Sequence, residues 1–285
     1  MEILISFILP FVLLLTVVVF IHEYGHYYFA KKYGVGVTDF SIGFGKELFG
    51  FNDKSGTRWK FCAIPLGGYV KFFGDRNVFS QAEQDELLKE YSIKDQKKLF
   101  VVKPIYQRSL IVAAGPFANF ILAILLFAFI YMFAGKDFTP AQIQEVQKDS
   151  PAFVAGIENG DIISSIDNNK VNSIMEVSTF INASTNDQID IEVLRNEETL
   201  IFSVKPKSFE GKDTLGNTIN KKIIGIKISP LNDKINRERL GPASALFYAV
   251  KETYFVTKTS LNFVVELLKG KGDTKQLGGP IKIAK

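Results

Sequence analysis

The stretch ILISFILPFVLLLTVVVFIHEYGHYYFAKK, residues 3–32, decides the architecture. Its first part, Ile3 to Ile21, carries no charge over nineteen residues and is interrupted only by Ser6, Pro10 and Thr16. At ~1.5 Å per helical residue it crosses a hydrocarbon core of ~30 Å, and a buried soluble helix rarely needs more than about fourteen such residues in a row. A secretory signal peptide is the alternative. Its n-region would be Met1-Glu2, without Lys or Arg, and no small-residue cleavage site follows, which argues against removal. A second uncharged run, Ser109 to Gly135, contains Gly115, Pro116 and Asn119 and is also long enough to span.

These two runs account for a composition that is 47% apolar with 26 Phe among 285 residues. Disorder, collagen and a disulfide scaffold are excluded, because aliphatics and Phe are plentiful and Cys62 is alone. The net charge of +4, from 34 basic and 30 acidic residues, is too mild to indicate nucleic acid, and none is expected as a partner.

Charge places the remaining segments. Residues 31–108 hold 14 basic and 9 acidic residues, a net of +5; residues 136–240 hold 13 and 16, a net of −3. Lys31 and Lys32 follow the first run directly, and Lys103 and Arg108 precede the second. The positive-inside rule then puts 31–108 in the cytoplasm and 136–240 outside. Cys62 falls on the reducing side and reads as a free thiol.

Within 31–108, Trp59–Ile64 and Gly68–Phe73 read as strands flanking a Pro65-Leu-Gly-Gly68 turn, a hairpin or small sheet at the membrane. Residues 80–99 read as a solvated helix or linker. Residues 136–208 read as a small α/β domain. Its strands are Gln142–Val146, Asp161–Ile166, Ile189–Leu194 and Thr199–Val204, and its helices Ala152–Ala155 and Ser173–Ala183. Residues 209–222 look like a loop, with one more strand at Ile223–Ile228. From Pro242 to Leu268, Leu246, Val250, Tyr254, Thr257, Leu261, Val264 and Leu268 make an amphipathic stripe, which either packs on the domain or lies on the outer membrane surface.

Both histidines of the chain lie in one pentapeptide, His22-Glu23-Tyr24-Gly25-His26. Positions i and i+4 share a helix face, so two imidazoles there can bind one metal at ~2.0–2.1 Å. Neutral imidazole suits Zn²⁺, and Glu23 is near enough to act as general base toward water on that metal. The bland alternative is a chance HExxH with surface histidines. The motif continues an apolar span, however, where ionisable groups are costly, and a shared metal accounts for all three residues at once.

The sequence resembles the site-2 protease family of intramembrane zinc metalloproteases. HEYGH at the end of the first span carries the likeness, with Gly34–Gly45, Ile64-Pro-Leu-Gly-Gly-Tyr-Val-Lys71, Ala114-Gly-Pro-Phe-Ala-Asn119 and Leu277-Gly-Gly-Pro-Ile281 in order. Asp149–Ala152, Ala155–Ile157 and Gly160–Ile163 resemble a PDZ domain. The resemblance implies an α-helical membrane protein with a membrane-associated β-hairpin or sheet and an inserted α/β PDZ domain. Its parts would be a first transmembrane helix (1–30), a cytoplasmic β region (31–108), a second transmembrane helix (109–135), a periplasmic PDZ domain (136–228) and a last segment (229–285). His22 and His26 would ligate zinc, and Glu23 would be the catalytic base. Gly67, Gly68, Tyr69 and Val70 would hold substrate as an added strand, and Asn119 would lie near the substrate path. The partners implied are the lipid bilayer and membrane-protein substrates such as an anti-sigma factor or a signal-peptide remnant, in the bacterial inner membrane, with the active site towards the cytoplasm.

The family's third zinc ligand is an Asp in an Asn-Pro…Leu-Asp-Gly motif on a later span. The sequence reaches Lys285 before such a motif, so the expectation is a front part of the enzyme that binds zinc weakly or not at all and is inactive alone. Two rival readings are a catalytically inactive, membrane-anchored PDZ adaptor for peptides, and a soluble secreted protease. Alkaline carbonate washing separates the last: the chain is expected to stay in the membrane fraction, and release into the supernatant would favour the soluble protease.

Overall fold

A computed structural model describes residues 8–75, 90–184, 186–212 and 218–269. The chain forms two compact units, divided between Ile124 and Leu125. Ser6, residues 80–89 and Leu277–Ile281 lie outside the described residues.

The first unit is organised by helix α1, Leu9–Lys32. Pro10 sits in its first turn, where a missing N–H breaks no ladder bond. Thr16, polar within the span, donates its hydroxyl to the Val12 carbonyl at 2.7 Å and so leaves no bare polar group. Lys31 and Lys32 occupy the last turn, where cations complement the helix dipole. Helix α2 is Ile105–Phe133, with Pro116 inside it. It begins four residues before the uncharged run, so Gln107 and Arg108 belong to its first turn. Both helices are long and apolar enough to cross a bilayer.

Between them lie two long strands, β1 (Val37–Asn52) and β2 (Arg58–Phe72). Residues 39–42 of β1 pair on both sides: antiparallel with 68–71, and with 58–61 in a register where both numbers rise together. The second half of β1 pairs antiparallel with the start of β2, Phe51 opposite Trp59. The two strands therefore curl into a small sheet with the first half of β1 inside it. An aromatic cluster seats this sheet on α1: Phe40 stacks on Trp59 at 4.1 Å, and Tyr27 meets Trp59 edge-on at 5.3 Å.

The reversal does not fall at Pro65–Gly68. That stretch lies inside β2, and five residues, Ile64 to Gly68, face only the three from Phe44 to Ile42 on β1. Proline lacks a donor but is tolerated at an edge or bulge, so it kinks the strand rather than ending it. The chain turns instead at 53–57. There the Asp53 carboxylate accepts from the Ser55 and Thr57 amides at 2.8 and 2.9 Å and from the Tyr27 hydroxyl at 2.7 Å. An Asx-type turn of this kind supplies its own local hydrogen bonds.

The second unit holds a sheet in the order β11-β4-β5-β7-β8, with β6 beside β5. Its strands are β4 (Ala141–Val146), β5 (Ile162–Ile166), β6 (Asn169–Lys170), β7 (Ile189–Arg195), β8 (Glu198–Val204) and β11 (Ile226–Pro230). Ile189, Ile191 and Val193 alternate inward along β7 and join Ile143, Ile163, Ile166 and Val204 in one core. Helices α3 (Pro151–Ala155) and α4 (Ile174–Ala183) cover it, close to the expected boundaries. Asp161, buried, is gripped by the Arg195 guanidinium at 2.7 and 2.8 Å and accepts the Glu158 amide, which fixes the Gly160-Asp161 turn. The expected loop at 209–222 is instead a β-ribbon of β9 (Lys207–Lys212) and β10 (Thr218–Ile223). Polar residues give no periodic signal, yet their backbone groups pair with one another. A short pair, β3 (Lys136–Asp137) and β12 (Arg237–Glu238), closes the base. Helix α5 spans Pro242–Leu268 as expected. It packs Ala245, Ala249, Thr253 and Phe255 inward, and leaves Leu246, Val250, Tyr254 and Leu261 exposed.

Burial works to raise the pKa of Asp53, but the bonds from Tyr27, Ser55, Thr57 and Trp59 outweigh it and hold the carboxyl below its ordinary range. A depressed folded value gives stability that is present above the unfolded value and lost as pH falls through the folded one. Asp53→Asn is expected to lower stability by about 1–2 kcal/mol at pH 7. Thermal unfolding in detergent should show that deficit unchanged down to pH 5 and shrinking below pH 4.

Candidate metal centre

One helical turn separates the chemistry of HEYGH into two directions. Successive residues on a helix differ by ~100°, so His22 and His26 share a face and Glu23 points elsewhere. The histidine face of α1 meets α2. His26 Nδ1 lies 2.8 Å from the Ile111 carbonyl, and Asn119 Nδ2 lies 3.3 Å from His22 Nδ1. Ile111, Gly115 and Asn119 are spaced i, i+4, i+8 and form one stripe along α2. The helices run antiparallel here, with 22 opposite 119 and 26 opposite 111.

Glycine makes the contact possible. A Cβ on Gly25 would collide with the Ala114 carbonyl oxygen, and one on Gly115 would collide with His26 Nε2 and lie 2.8 Å from His22 Nε2. Without these methyl groups the two rings turn their Nε2 atoms toward each other at 3.2 Å. Two nitrogens bound to one tetrahedral zinc at ~2.0–2.1 Å lie about 3.3 Å apart, so the pair fits two vertices of such a site. Among the described residues no group of three or more His, Cys, Asp or Glu converges on a common point.

The other face of α1 meets the sheet. A Cβ on Gly68 would come within 2.8 Å of Val19 Cγ1 and 3.1 Å of Glu23 Cγ, so β2 crosses α1 directly over the Glu23 stem. Gly67 beside it has φ +128°, a backbone conformation that glycine adopts without a Cβ penalty. Tyr69 stacks on Phe44 at 6.2 Å. Val70 packs into the cluster of Ala30, Val35, Val37 and Ile111. Of the residues named from sequence, His22, Glu23, His26, Gly68 and Asn119 thus meet around one stretch of α1. Gly67, Tyr69 and Val70 shape and anchor the strand beside it. Sequence reasoning passed over Gly115 and the Ile111 carbonyl. Their spacing from Asn119, four residues for Gly115 and eight for Ile111, was the available signal.

The family model for peptidase family M50 matches residues 10–285. The chain belongs to peptidase family M50. It is 40% identical over 285 residues to a protein of Mesorhizobium japonicum named "Putative zinc metalloprotease mll0638", covering 97% of this chain and 76% of that relative. To the Caulobacter vibrioides "Metalloprotease MmpA" it is 35% identical over 276 residues, covering 94% and 69%. Among solved structures, the PDZ domain of the SdrC-like protein of Listeria monocytogenes matches 32% of this chain and 88% of its own length at 23% identity, with a TM-score of 0.26. This M50 chain is a metalloprotease and a membrane protein.

Gly115→Ala tests the crowding at the histidine pair. The added methyl is expected to lower metal content at least tenfold while the protein still accumulates in membranes, measured by metal analysis of purified protein. An unchanged metal content would remove Gly115 from the centre.

Proposed function

We propose that this chain carries zinc-binding and substrate-holding residues of an endopeptidase that cleaves transmembrane segments of single-span membrane proteins. The observation that carries the reading is the split of α1: two Nε2 atoms 3.2 Å apart on one side, and on the other side Glu23 beneath a strand at Gly68. Zinc, when bound at His22 and His26, supplies the Lewis acidity that polarises a scissile carbonyl and makes water nucleophilic near neutral pH. Glu23 takes a proton from the attacking water at a carboxylate oxygen and delivers it to the leaving amine nitrogen. Ile111 holds His26 through its carbonyl.

A helical substrate hides its carbonyls in i→i−4 bonds, so it must be extended before it is cut. Residues 64–72 of β2 pair with β1 on one side only among the described residues. That open edge can take an extended backbone as an added strand, beside Glu23. Suitable substrates are an anti-sigma factor already trimmed outside, or a signal-peptide remnant. The charge asymmetry of the loops supports a multi-pass protein of the bacterial inner membrane, with the β sheet cytoplasmic and the α/β domain periplasmic.

That α/β domain reads as a PDZ domain that filters substrates. Its β11 is an edge strand, and between β11 and α4 runs a groove of about 220 Å³ lined by Val177, Ile181, Lys222, Ile226 and Ile228. A peptide adding to β11 would bury its side chains against Val177 and Ile181. The same groove supports a second reading, a membrane-anchored peptide-binding adaptor without catalysis.

Metal content separates the two. About one zinc per full-length chain, lost in His22→Ala, supports the protease; metal-free protein that still binds peptides supports the adaptor. Glu23→Gln in the full-length protein is expected to keep zinc and lose at least 100-fold in cleavage of a membrane reporter, within the range of general acid–base catalysis. Persistent cleavage would remove Glu23 as the base.

A further inference from the structure

The end of α1 opens into a cavity that serves neither the histidine pair nor the strand over Glu23. It measures about 430 Å³, and Lys31, Gly34, Thr38, Ser55, Phe73 and Lys98 stand in its wall. It thus lies between the last turn of α1, the start of β1 and the 53–57 reversal. That size falls within the range of small-ligand sites, ~300–1,000 Å³. Tyrosines mark its depth. Tyr24, Tyr27, Tyr28 and Tyr33 crowd the end of α1, and Tyr106 stands at the start of α2. Tyrosine concentrates where hydrocarbon meets water, so the cavity sits at the level of the lipid headgroups.

The donors left in this cavity are cations. The amides of Gly34, Val35, Gly36 and Gly56 already bond backbone carbonyls, and the Thr38 and Ser55 hydroxyls donate to Asp39 and Asp53. Lys31 is held in place: its Nζ donates to Ser55 Oγ at 2.6 Å and lies 5.9 Å from the centre of the Tyr27 ring. Lys98 donates to Asp95 Oδ1 at 2.9 Å and reaches over Phe73. Lys103 closes a third side, its Nζ 3.6 Å from where a Cβ on Gly34 would stand. The acids nearby are engaged. Asp39 pairs with Lys60, Asp95 with Lys98 and Ser92, and Asp53 takes bonds from Tyr27, Ser55, Thr57 and Trp59. Lys103 has no acid among the described residues, and burial lowers its pKa, the mark of a cation drawn from water without a counter-charge.

We propose that this cavity binds the phosphodiester of an anionic phospholipid, of the phosphatidylglycerol kind, with Lys31, Lys98 and Lys103 around the phosphate. Lysine meets phosphate as a point charge, and basic pockets beside the ends of membrane helices are suited to such headgroups. A free phosphate shares the chemistry, but the tyrosine belt puts the site where lipid phosphate is concentrated. A zwitterionic headgroup would bring its own ammonium against the lysines, which favours an anionic one. The bound headgroup bridges the end of α1 and the strand reversal, beside the Lys31–Ser55 bond that already joins them. The proposal needs the membrane and is independent of the zinc reading.

The test titrates the full-length protein in detergent with palmitoyl-oleoyl phosphatidylglycerol, phosphatidylcholine of the same chains, glycerol 1-phosphate and inorganic phosphate. Native mass spectrometry counts bound lipid, and thermal unfolding follows stabilisation by each ligand. Wild type is expected to hold one phosphatidylglycerol at least tenfold more tightly than phosphatidylcholine. Lys31→Gln with Lys103→Gln should weaken that binding at least tenfold, about what two lysines contribute at an anionic surface. Lys94→Gln with Lys97→Gln removes as much charge just outside the cavity wall and should stay within about twofold of wild type. Equal losses in the two double variants would make the attraction a diffuse one and overturn the proposal. So would phosphatidylglycerol and phosphatidylcholine held alike by wild type, a result that needs no variant to fold. Glycerol 1-phosphate or inorganic phosphate stabilising the protein as well as the lipid does would overturn the lipid as ligand and give the cavity to a soluble phosphate.

Discussion

The close approach of α1 and α2 at Gly25 and Gly115 is the constraint on which the rest depends. Two histidines and a glutamate inside an apolar helix are expensive in a medium that offers them no water. They are supportable only if each finds a partner, and partners come from a neighbouring helix at short range. Gly25 lets the α1 backbone reach Ala114, and Gly115 leaves the hollow into which both imidazoles turn. With a methyl group at either position the helices would separate, and the Ile111 carbonyl and Asn119 would move out of reach. Small residues at such contacts are the usual means by which membrane helices pack closely.

The same helix organises the sheet by its other face. Phe20, Glu23 and Tyr27 follow one another at three- and four-residue spacing, and the aromatic pair brackets the acid. Phe40 and Trp59 stack between them, so the sheet sits on α1 by aromatic burial rather than by charge. Asp53 then ties the strand reversal to Tyr27. Because β2 has no Cβ at Gly68, its backbone comes down onto the Glu23 stem. Ligands and base are therefore served by two different neighbours of one helix, and neither neighbour has to accommodate both.

The second unit is held together in a more ordinary way, by alternating aliphatic residues and by ionic contacts that are largely buried. Asp161 with Arg195 fixes the turn before β5, and the guanidinium is itself made a stronger base by that carboxylate. Lys136, nearly buried, lies among the rings of Tyr131, Phe138 and Tyr248 and within 3.8 Å of Glu176 and Glu252. One cation thus joins the end of α2, the first turn of α4 and the middle of α5.

The sequence by itself determined the two apolar helices, the alternating strands of the α/β domain, α5 to the residue, and the HEYGH centre. All of these rest on local periodicity or on residues four apart, which a chain displays before it folds. It misplaced the turn of the β element. Pro65-Leu-Gly-Gly68 has turn composition, and only the pairing with β1 shows that it kinks a continuing strand. It also missed the ribbon at 207–223, since backbone pairing of polar segments leaves no pattern in side chains. Only the tertiary structure decided that Gly115 is the hollow for the histidines, that Gly68 lies over Glu23, and that Asn119 faces His22 Nδ1. Those are contacts between residues 45 to 97 positions apart, and which of two glycines or polar residues meets a histidine depends on how the helices cross, a quantity no local stretch of sequence encodes.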